Sequence, residues 1–386
     1  MTDTTLTTIG QQLAPTAAIH KNAAHRITAF PNKAGSLNAD NMAAAMAEIS
    51  GWDGYSPTPL HALADVAAAL GVKAVYYKDE APRFDLGSFK ALGGAYAVAA
   101  LVAARTKGGA SPADVTVATA TDGNHGRSVS WGAQRAGCTA KIYIHAHVSE
   151  ARAEAMRAFG ADVIRVNGNY EASLAACKSD AEAHGWDIVS DTSWDGYVDI
   201  PLDIMAGYTV MTKEALAQMG DVRPSHAFLP IGVGGLAAAV AAPLWHDMDD
   251  HLCRLISVES RLSSCFHDSI KAGAPTLFDI TEETLMAGLS CGEVSLLAWD
   301  LLKHSLSHCM TISDDAVAPL MKWFQQRATP IEAGECSTSG LAALLAAHAH
   351  PDQWREMGFD ADSVILLIGT EGATDRDLYD QLVASA

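Results

Sequence analysis

Three short stretches of this chain carry residue types suited to carbonyl and phosphate chemistry. Ser88, Phe89 and Lys90 open a long apolar segment rich in Gly and Ala. Thr121, Asp122, Gly123, Asn124, His125 and Gly126 follow as one polar loop, and Gly232, Val233, Gly234, Gly235 and Leu236 form a glycine turn much later. Lys90 offers an amine for a carbonyl. Its neighbours Phe89, Ala91, Leu92 and Gly93 are of a kind that desolvates an amine, which lowers a lysine pKa and frees the neutral, reactive form. Taken alone, Lys90 reads better as an ordinary lysine near a helix start with its head in water, because buried lysines are rare.

The glycine turn follows the apolar run Phe228 to Ile231 and precedes a helix expected near Leu236. A strand, a glycine turn and a helix N-terminus present free backbone N–H groups and a positive dipole to an anion. Missing side chains let that anion approach closely. The turn lacks the third glycine of a dinucleotide fingerprint and the Gly-Lys-Ser/Thr ending of a P-loop, so a single phosphate monoester fits it. Amine, polar loop and phosphate cradle together point to pyridoxal 5'-phosphate held through Lys90.

Other polar groups complete the candidate site. Asn124 can offer its amide to a ring hydroxyl, and the loop around Thr121, Gly123 and His125 can bind a substrate carboxylate through its N–H groups. Asp122 is either a helix-capping or turn residue or a carboxylate able to move a proton. Asp191 follows the strand-like Trp186 to Val189, at the strand end where open α/β sheets place ligands. Thr370 closes the last apolar strand, where its hydroxyl can meet a ring nitrogen. Glu293 and Glu371 are further polar groups in glycine-flanked loops.

These residues need elements to hold them. Strand-like runs at Ala74 to Tyr77, Val115 to Ala118, Lys141 to Ile144, Val163 to Val166, Ala227 to Ile231, Leu255 to Val258 and Val364 to Ile368 alternate with helical patterns. Helices are expected over Phe89 to Ala104, Arg127 to Ala136 and Ala151 to Phe159, with no strand pattern in the first fifty or so residues. Short apolar strands separated by helices predict an α/β fold of two lobes, each a mostly parallel sheet flanked by helices. The expected division is a large cofactor-binding domain of residues 1–95 and 213–386, with 96–212 inserted as a small α/β domain.

Composition narrows the function classes. The 386 residues are 49% hydrophobic and 18% charged, which suits a globular chain. A formal charge of −19 with no basic run argues against a nucleic-acid partner. The uncharged run from Phe228 to Trp245 is interrupted by Pro230, three glycines and Pro243, so a buried strand-turn-helix unit is expected rather than a membrane span. Seven widely spaced cysteines without a Cys-x-x-Cys pair, and an opening Met1-Thr2-Asp3-Thr4 with no apolar core, predict a cytoplasmic protein. His145 and His147 end a strand, but no His-Glu-x-x-His pattern accompanies them and no metal is expected.

The chain resembles the fold type II pyridoxal phosphate enzymes, the group of serine/threonine dehydratases and the tryptophan synthase β chain. Lys78 and Glu80, then Ser88 to Lys90, then Gly123 to Gly126 carry that likeness. It is most similar to the diaminopropionate ammonia-lyase family. Tyr55 to Leu60, Arg83-Phe84, Thr119 to Arg127, Asp191-Thr192, Trp194, Gly196-Tyr197, Ile200-Pro201, Met286 to Leu289, Cys291 to Glu293 and Thr370 to Gly372 match its pattern. Dehydratases usually carry Ser where Asp122 stands. Asp85 and Gly87 depart from the expected Phe-Gly-Leu-Asn, and Glu335 to Gly340 is a changed Glu-Ser-Gly loop.

The resemblance implies that Lys90 carries the cofactor, that Asn124 meets the ring hydroxyl and that Gly232 to Leu236 cradle the phosphate. It also implies Asp122 and Asp191 as two active-site acids, and a homodimer. The reaction expected is elimination of the β-amine of a small diamino acid such as 2,3-diaminopropionate, giving pyruvate and ammonia. Lys90 or Asp122, on opposite faces, would take the α-proton; Asp122 or Asp191 would serve the leaving amine. The alternatives are a serine/threonine-type or hydroxyaspartate dehydratase, another β-eliminase of a substituted alanine, or a silent cofactor-binding module.

Overall fold

In the computed structural model, residues 3–26, 37–121, 123–247 and 253–386 are described. Among them eleven strands form two sheets. They are β1 (Ala18–Lys21), β2 (Leu60–Ala62), β3 (Ala74–Asp79), β4 (Thr116–Ala120), β5 (Thr139–His145), β6 (Asp162–Val166), β7 (Asp187–Ile188), β8 (His226–Pro230), β9 (Arg254–Ser260), β10 (Leu306–Ile312) and β11 (Val364–Gly369). The larger sheet has the order β1-β10-β9-β8-β11-β3-β2, and the smaller one β6-β5-β4-β7. Every neighbour pair is parallel except the two at the edges of the large sheet, β1 with β10 and β2 with β3.

The central strands of the large sheet are buried along their whole length, as β8 and β11 illustrate. That follows from helices covering both faces of a parallel sheet. The apolar stretch around Gly232 resolves into β8, a turn and the helix Gly235–His246. Among the described residues no helix is long and apolar enough to cross a membrane. Three strands, β1, β2 and β10, were not expected from the sequence. The helix expected from Arg127 begins earlier, at Asn124.

The helix Lys90–Lys107 is the hub. It packs against Asn124–Ala136 on one side and Asp199–Met219 on the other. Both contacts depend on missing side chains. A Cβ on Gly93 would lie 2.3 Å from Tyr208 Cε1 and 2.6 Å from the Ile204 carbonyl oxygen, and one on Gly94 would lie 2.5 Å from Ser128 Oγ. The Gly/Ala-rich sequence after Lys90 is therefore a close-packing sequence, and it brings Tyr208 beside Lys90.

Candidate active site

The segment entering Lys90 is anchored by a buried ionic network. Lys78 Nζ meets Glu214 Oε2 at 2.8 Å, and Arg83 grips both Glu80 (2.8 Å) and Glu214 (2.7 Å). Thr58 completes it, donating through its hydroxyl to Glu80 and accepting Lys78 Nζ on its carbonyl at 2.8 Å. All four charged side chains are buried, with Arg83 1% exposed. Such charges stay inside only when mutually satisfied. Just after Arg83, Phe84 and Asp85 adopt φ of 51° and 58°. Asp85, standing where glycine was expected, thus occupies a left-handed position that Asp tolerates better than most side chains. Arg127 ties this turn to the next helix by donating to the Leu86 carbonyl at 3.1 Å.

Lys90 itself forms an ion pair with Asp191. Its ammonium also lies 5.4 Å from the Phe89 ring centre and 5.7 Å from that of Tyr208. Burial opposes the Lys90 charge, but the Asp191 carboxylate outweighs it, and the amine is held above the usual lysine range. Desolvation by its apolar neighbours alone would lower the value, as expected from the sequence; the counter-charge from a distant loop reverses the sign. Burial likewise opposes the Asp191 charge, and Lys90 outweighs it, so the carboxyl sits well below its ordinary range.

Asp191 is held from both sides. The Tyr197 hydroxyl donates to the Ile188 carbonyl at 2.8 Å and accepts the Ser190 N–H at 2.9 Å. Tyr197 stacks on Trp194 at 4.1 Å between ring centres. Ser193 meets Ser295 through their hydroxyls at 2.7 Å, and the Ser295 N–H donates to the Val233 carbonyl at 2.9 Å. Ser295 therefore latches the Asp191 loop to the glycine turn.

That turn has the features of an anion cradle. Gly234, at φ 105°, caps the helix Gly235–His246. Among the described residues, no acceptor in the chain takes the backbone N–H groups of Val233, Gly234, Gly235 and Leu236. Cβ atoms on Gly232 and Gly234 would press on Cys291 Sγ at 2.9 Å and Phe266 Cε2 at 2.6 Å. One on Gly235 would find its nearest neighbour, the Asp191 carbonyl oxygen, at 3.8 Å, so the open side of the turn faces the Asp191 loop. Free donors, a helix N-terminus and an amine paired to the adjoining loop fit a phosphate-bearing aldehyde.

The polar loop meets the end of β11. Asn124 Nδ2 donates to Glu371, whose backbone bridges Ser88. Ser337 Oγ accepts the Glu371 N–H at 2.8 Å and lies 3.3 Å from Thr370 Oγ1, while the Thr370 carbonyl accepts the Phe89 N–H at 3.0 Å. Thr121 is engaged structurally: its hydroxyl oxygen accepts the N–H groups of Gly123 and Gly126, both at 3.1 Å. His125 is buried, with Nε2 2.8 Å from the Val189 carbonyl and Nδ1 without a partner. Glu293 lies exposed. Asp122 falls outside the described residues.

The structure thus gathers Ser88, Phe89, Lys90, Asn124, His125, Asp191, Glu371 and Thr370 around the ends of β3, β4, β8 and β11. It adds Tyr208, Glu214, Ser295 and Ser337, which sequence reasoning missed. For Tyr208 a signal existed in its neighbour Gly207, whose Cβ would lie 2.6 Å from the Leu92 carbonyl oxygen.

Comparison with known proteins agrees with this geometry. Residues 52–368 match the family model for pyridoxal-phosphate dependent enzymes. A diaminopropionate ammonia-lyase from Escherichia coli strain K12 is 36% identical over 349 residues, covering 86% of this chain and 88% of that protein. The crystal structure of selenomethionine-labelled holo diaminopropionate ammonia-lyase from Escherichia coli superposes with a TM-score of 0.86 at 33% identity, covering 96% of this chain and 97% of the other. Another structure of that enzyme, described as a complex with an aminoacrylate-PLP azomethine reaction intermediate, gives 0.85 at 34% identity over the same shares. The chain belongs to the diaminopropionate ammonia-lyase family of pyridoxal-phosphate dependent enzymes.

Proposed function

We propose that this protein eliminates ammonia from 2,3-diaminopropionate, yielding pyruvate and a second ammonia. The observation that carries the reading is the Lys90–Asp191 pair, latched to the free N–H groups of the glycine turn. Pyridoxal phosphate, when bound, supplies the electron sink for negative charge at the substrate Cα. Lys90 would carry it; Gly232 to Leu236 would hold the phosphate, Asn124 the ring hydroxyl and Thr370 the ring nitrogen. Phe89 packs beside the lysine. Ser88, Thr121, Gly123 and His125 shape the loop that receives the substrate carboxylate.

Lys90 and Asp122 take the α-proton from opposite faces of the substrate, an arrangement that admits both enantiomers. Asp191, kept ionised by its cationic neighbour, suits holding the substrate's β-ammonium. Glu371 orients Asn124. The chain divides into a large domain, residues 1–95 and 213–386, and a small one, 96–212; in support, all four strands of the smaller sheet fall within the second range. The helices Lys90–Lys107 and Asp199–Met219 cross both boundaries and join the lobes without linkers. The family resemblance supports a homodimer, and the wide spacing of the seven cysteines without a Cys-x-x-Cys pair supports a cytoplasmic location.

The test is a product balance on purified protein loaded with cofactor. A diamino substrate releases two ammonia for each pyruvate, whereas a hydroxyamino acid dehydratase releases one. A one-to-one yield overturns the assignment. Asp122→Asn is expected to slow one enantiomer by roughly 10²-fold or more while sparing the other, as removal of a single positioned base requires.

A further inference from the structure

The turn that delivers Lys90 is left-handed at three of four consecutive residues: φ is 51° at Phe84, 58° at Asp85 and 77° at Gly87. Only the last is a glycine. A bulky side chain such as Phe84 is a rare occupant of that region, and such a backbone persists only where its surroundings over-determine it. On the N-terminal side the surroundings are the Glu80–Arg83–Glu214 network. On the C-terminal side they come from one face of the helix Asn124–Ala136.

Asn124, Arg127 and Trp131 share that face at helical spacing. Asn124 donates to Glu371, whose backbone bridges Ser88. The Trp131 ring centre lies 4.9 Å from that of Phe84. Between them Arg127 reaches the peptide chain itself. Its Nη1 donates to the Leu86 carbonyl at 3.1 Å, and Nη2 lies 3.5 Å from the Asp85 carbonyl. Among the described residues no carboxylate pairs with this half-buried guanidinium, and its Nε is buried without a partner. The cation is therefore directed at the turn alone. A planar fork suits two successive carbonyls, where an ammonium offers a single point charge. The next residue, Ser128, accepts the Ala95 N–H at 3.0 Å, so the same helix also meets the one that begins at Lys90.

We infer that Arg127 is a positioning residue for Lys90: it holds the left-handed turn at 84–87 and so sets the amine against Asp191. The helix that presents Asn124 thereby fixes the lysine through the backbone, with no contact to the amine itself. The inference rests on Lys90 as the cofactor lysine and is indifferent to which amino acid is the substrate.

The experiment reads the pairing of Lys90 rather than turnover. The full-length chain, freed of cofactor, is reductively methylated with formaldehyde and cyanoborohydride across pH, and labelling is quantified by peptide mass spectrometry. Exposed Lys271 is the reference, and Lys78, buried in the ionic network, shows whether the fold is kept. In Arg127→Ala the turn relaxes and the Lys90–Asp191 pair loosens. Lys90 is then expected to label roughly tenfold faster at a given pH, its profile moving to lower pH while Lys78 stays protected. Asp85→Gly removes the cost of a left-handed backbone at that position. It should leave the profile of the otherwise unmutated chain unchanged and return that of Arg127→Ala most of the way to the parent. A parental profile in Arg127→Ala overturns the proposal, as does a shifted one that Asp85→Gly fails to correct. Should Lys78 label as well, Arg127→Lys decides: it keeps the cation but not the fork, so a partial shift is expected and a parental profile overturns the proposal. A visible cofactor band surviving in Lys90→Ala would instead sink the reading of Lys90 itself, so the two failures are distinguishable.

Discussion

The ammonium of Lys90 and the carboxylate of Asp191 face each other across the site with side chains only 20% and 22% exposed. Each holds the other charged against the cost of burial. The pairing gives the site a resting state in which the reactive amine is stored as a cation, and it determines what the surrounding residues must do.

Replacing the acid exposes that balance. In Asp191→Asn the main counter-charge is gone and burial, the largest influence on Lys90, is no longer outweighed, so its proton affinity should fall. Methylation of Lys90 should then extend to lower pH than in the parent. Turnover should drop by roughly 10²- to 10⁴-fold, because the substrate's ammonium loses its anchor. Parental turnover would show that Asp191 is a bystander.

Glu335 supplies a pH prediction with a definite sign. Burial, and then the neighbouring Glu371 carboxylate, push its carboxyl up to about 7. The unfolded chain releases this proton near 4.3, so between roughly pH 4.5 and 7 the folded state binds more protons than the unfolded one. Folding stability from this group therefore declines as pH rises through that window and is flat above it. Glu335→Gln should flatten the slope and stabilise the protein above pH 7 by about 1–3 kcal/mol. Urea unfolding at pH 5 and pH 8 measures it; an unchanged pH slope would refute the account.

The network behind the lysine predicts a large loss. Glu214→Gln weakens the grip on Arg83 and Lys78, both buried, and leaves their charge under-compensated. Breaking such a pair costs about 3–5 kcal/mol, which urea unfolding detects. Activity should fall with it, because Arg83 begins the turn that delivers Lys90.

Gly93→Ala tests the close approach of two helices. The added methyl meets Tyr208 Cε1 and the Ile204 carbonyl oxygen, so overpacking of about 1–3 kcal/mol is expected. Trimming the ring with Tyr208→Ala in the same chain should not restore stability, since the Ile204 backbone contact remains. Full rescue would contradict that geometry.

Much of this was legible in the sequence where the signal is local. The turn at 232–235 announces itself because a strand, glycines and a helix follow one another, and Lys90 stands out at the head of a glycine-rich helix. What escaped depends on partners far along the chain. Tyr208 and Glu214 lie in a helix apolar nearly all round, whose periodicity does not reveal that a phenol faces Lys90 and a carboxylate faces Arg83. Strand β10 hid behind Ser307, His308 and Thr311, polar residues that rarely mark a buried strand. They are tolerated partly because Ser307 Oγ donates to the Leu255 carbonyl at 2.9 Å and lies 3.2 Å from His308 Nδ1, from which it can accept. The reversed proton affinity of Lys90 had the same origin: Asp191 is a hundred residues away in sequence and adjacent in space.

The large sheet closes on either side with a strand of four residues, β1, and one of three, β2. An outermost strand is the place where a foreign chain can dock as an additional rung, and the risk grows with the length of unpaired backbone it presents. Margins this brief, antiparallel to the strands they cover, give a stray polypeptide little purchase along the large sheet, so that sheet is guarded against fibre-like growth.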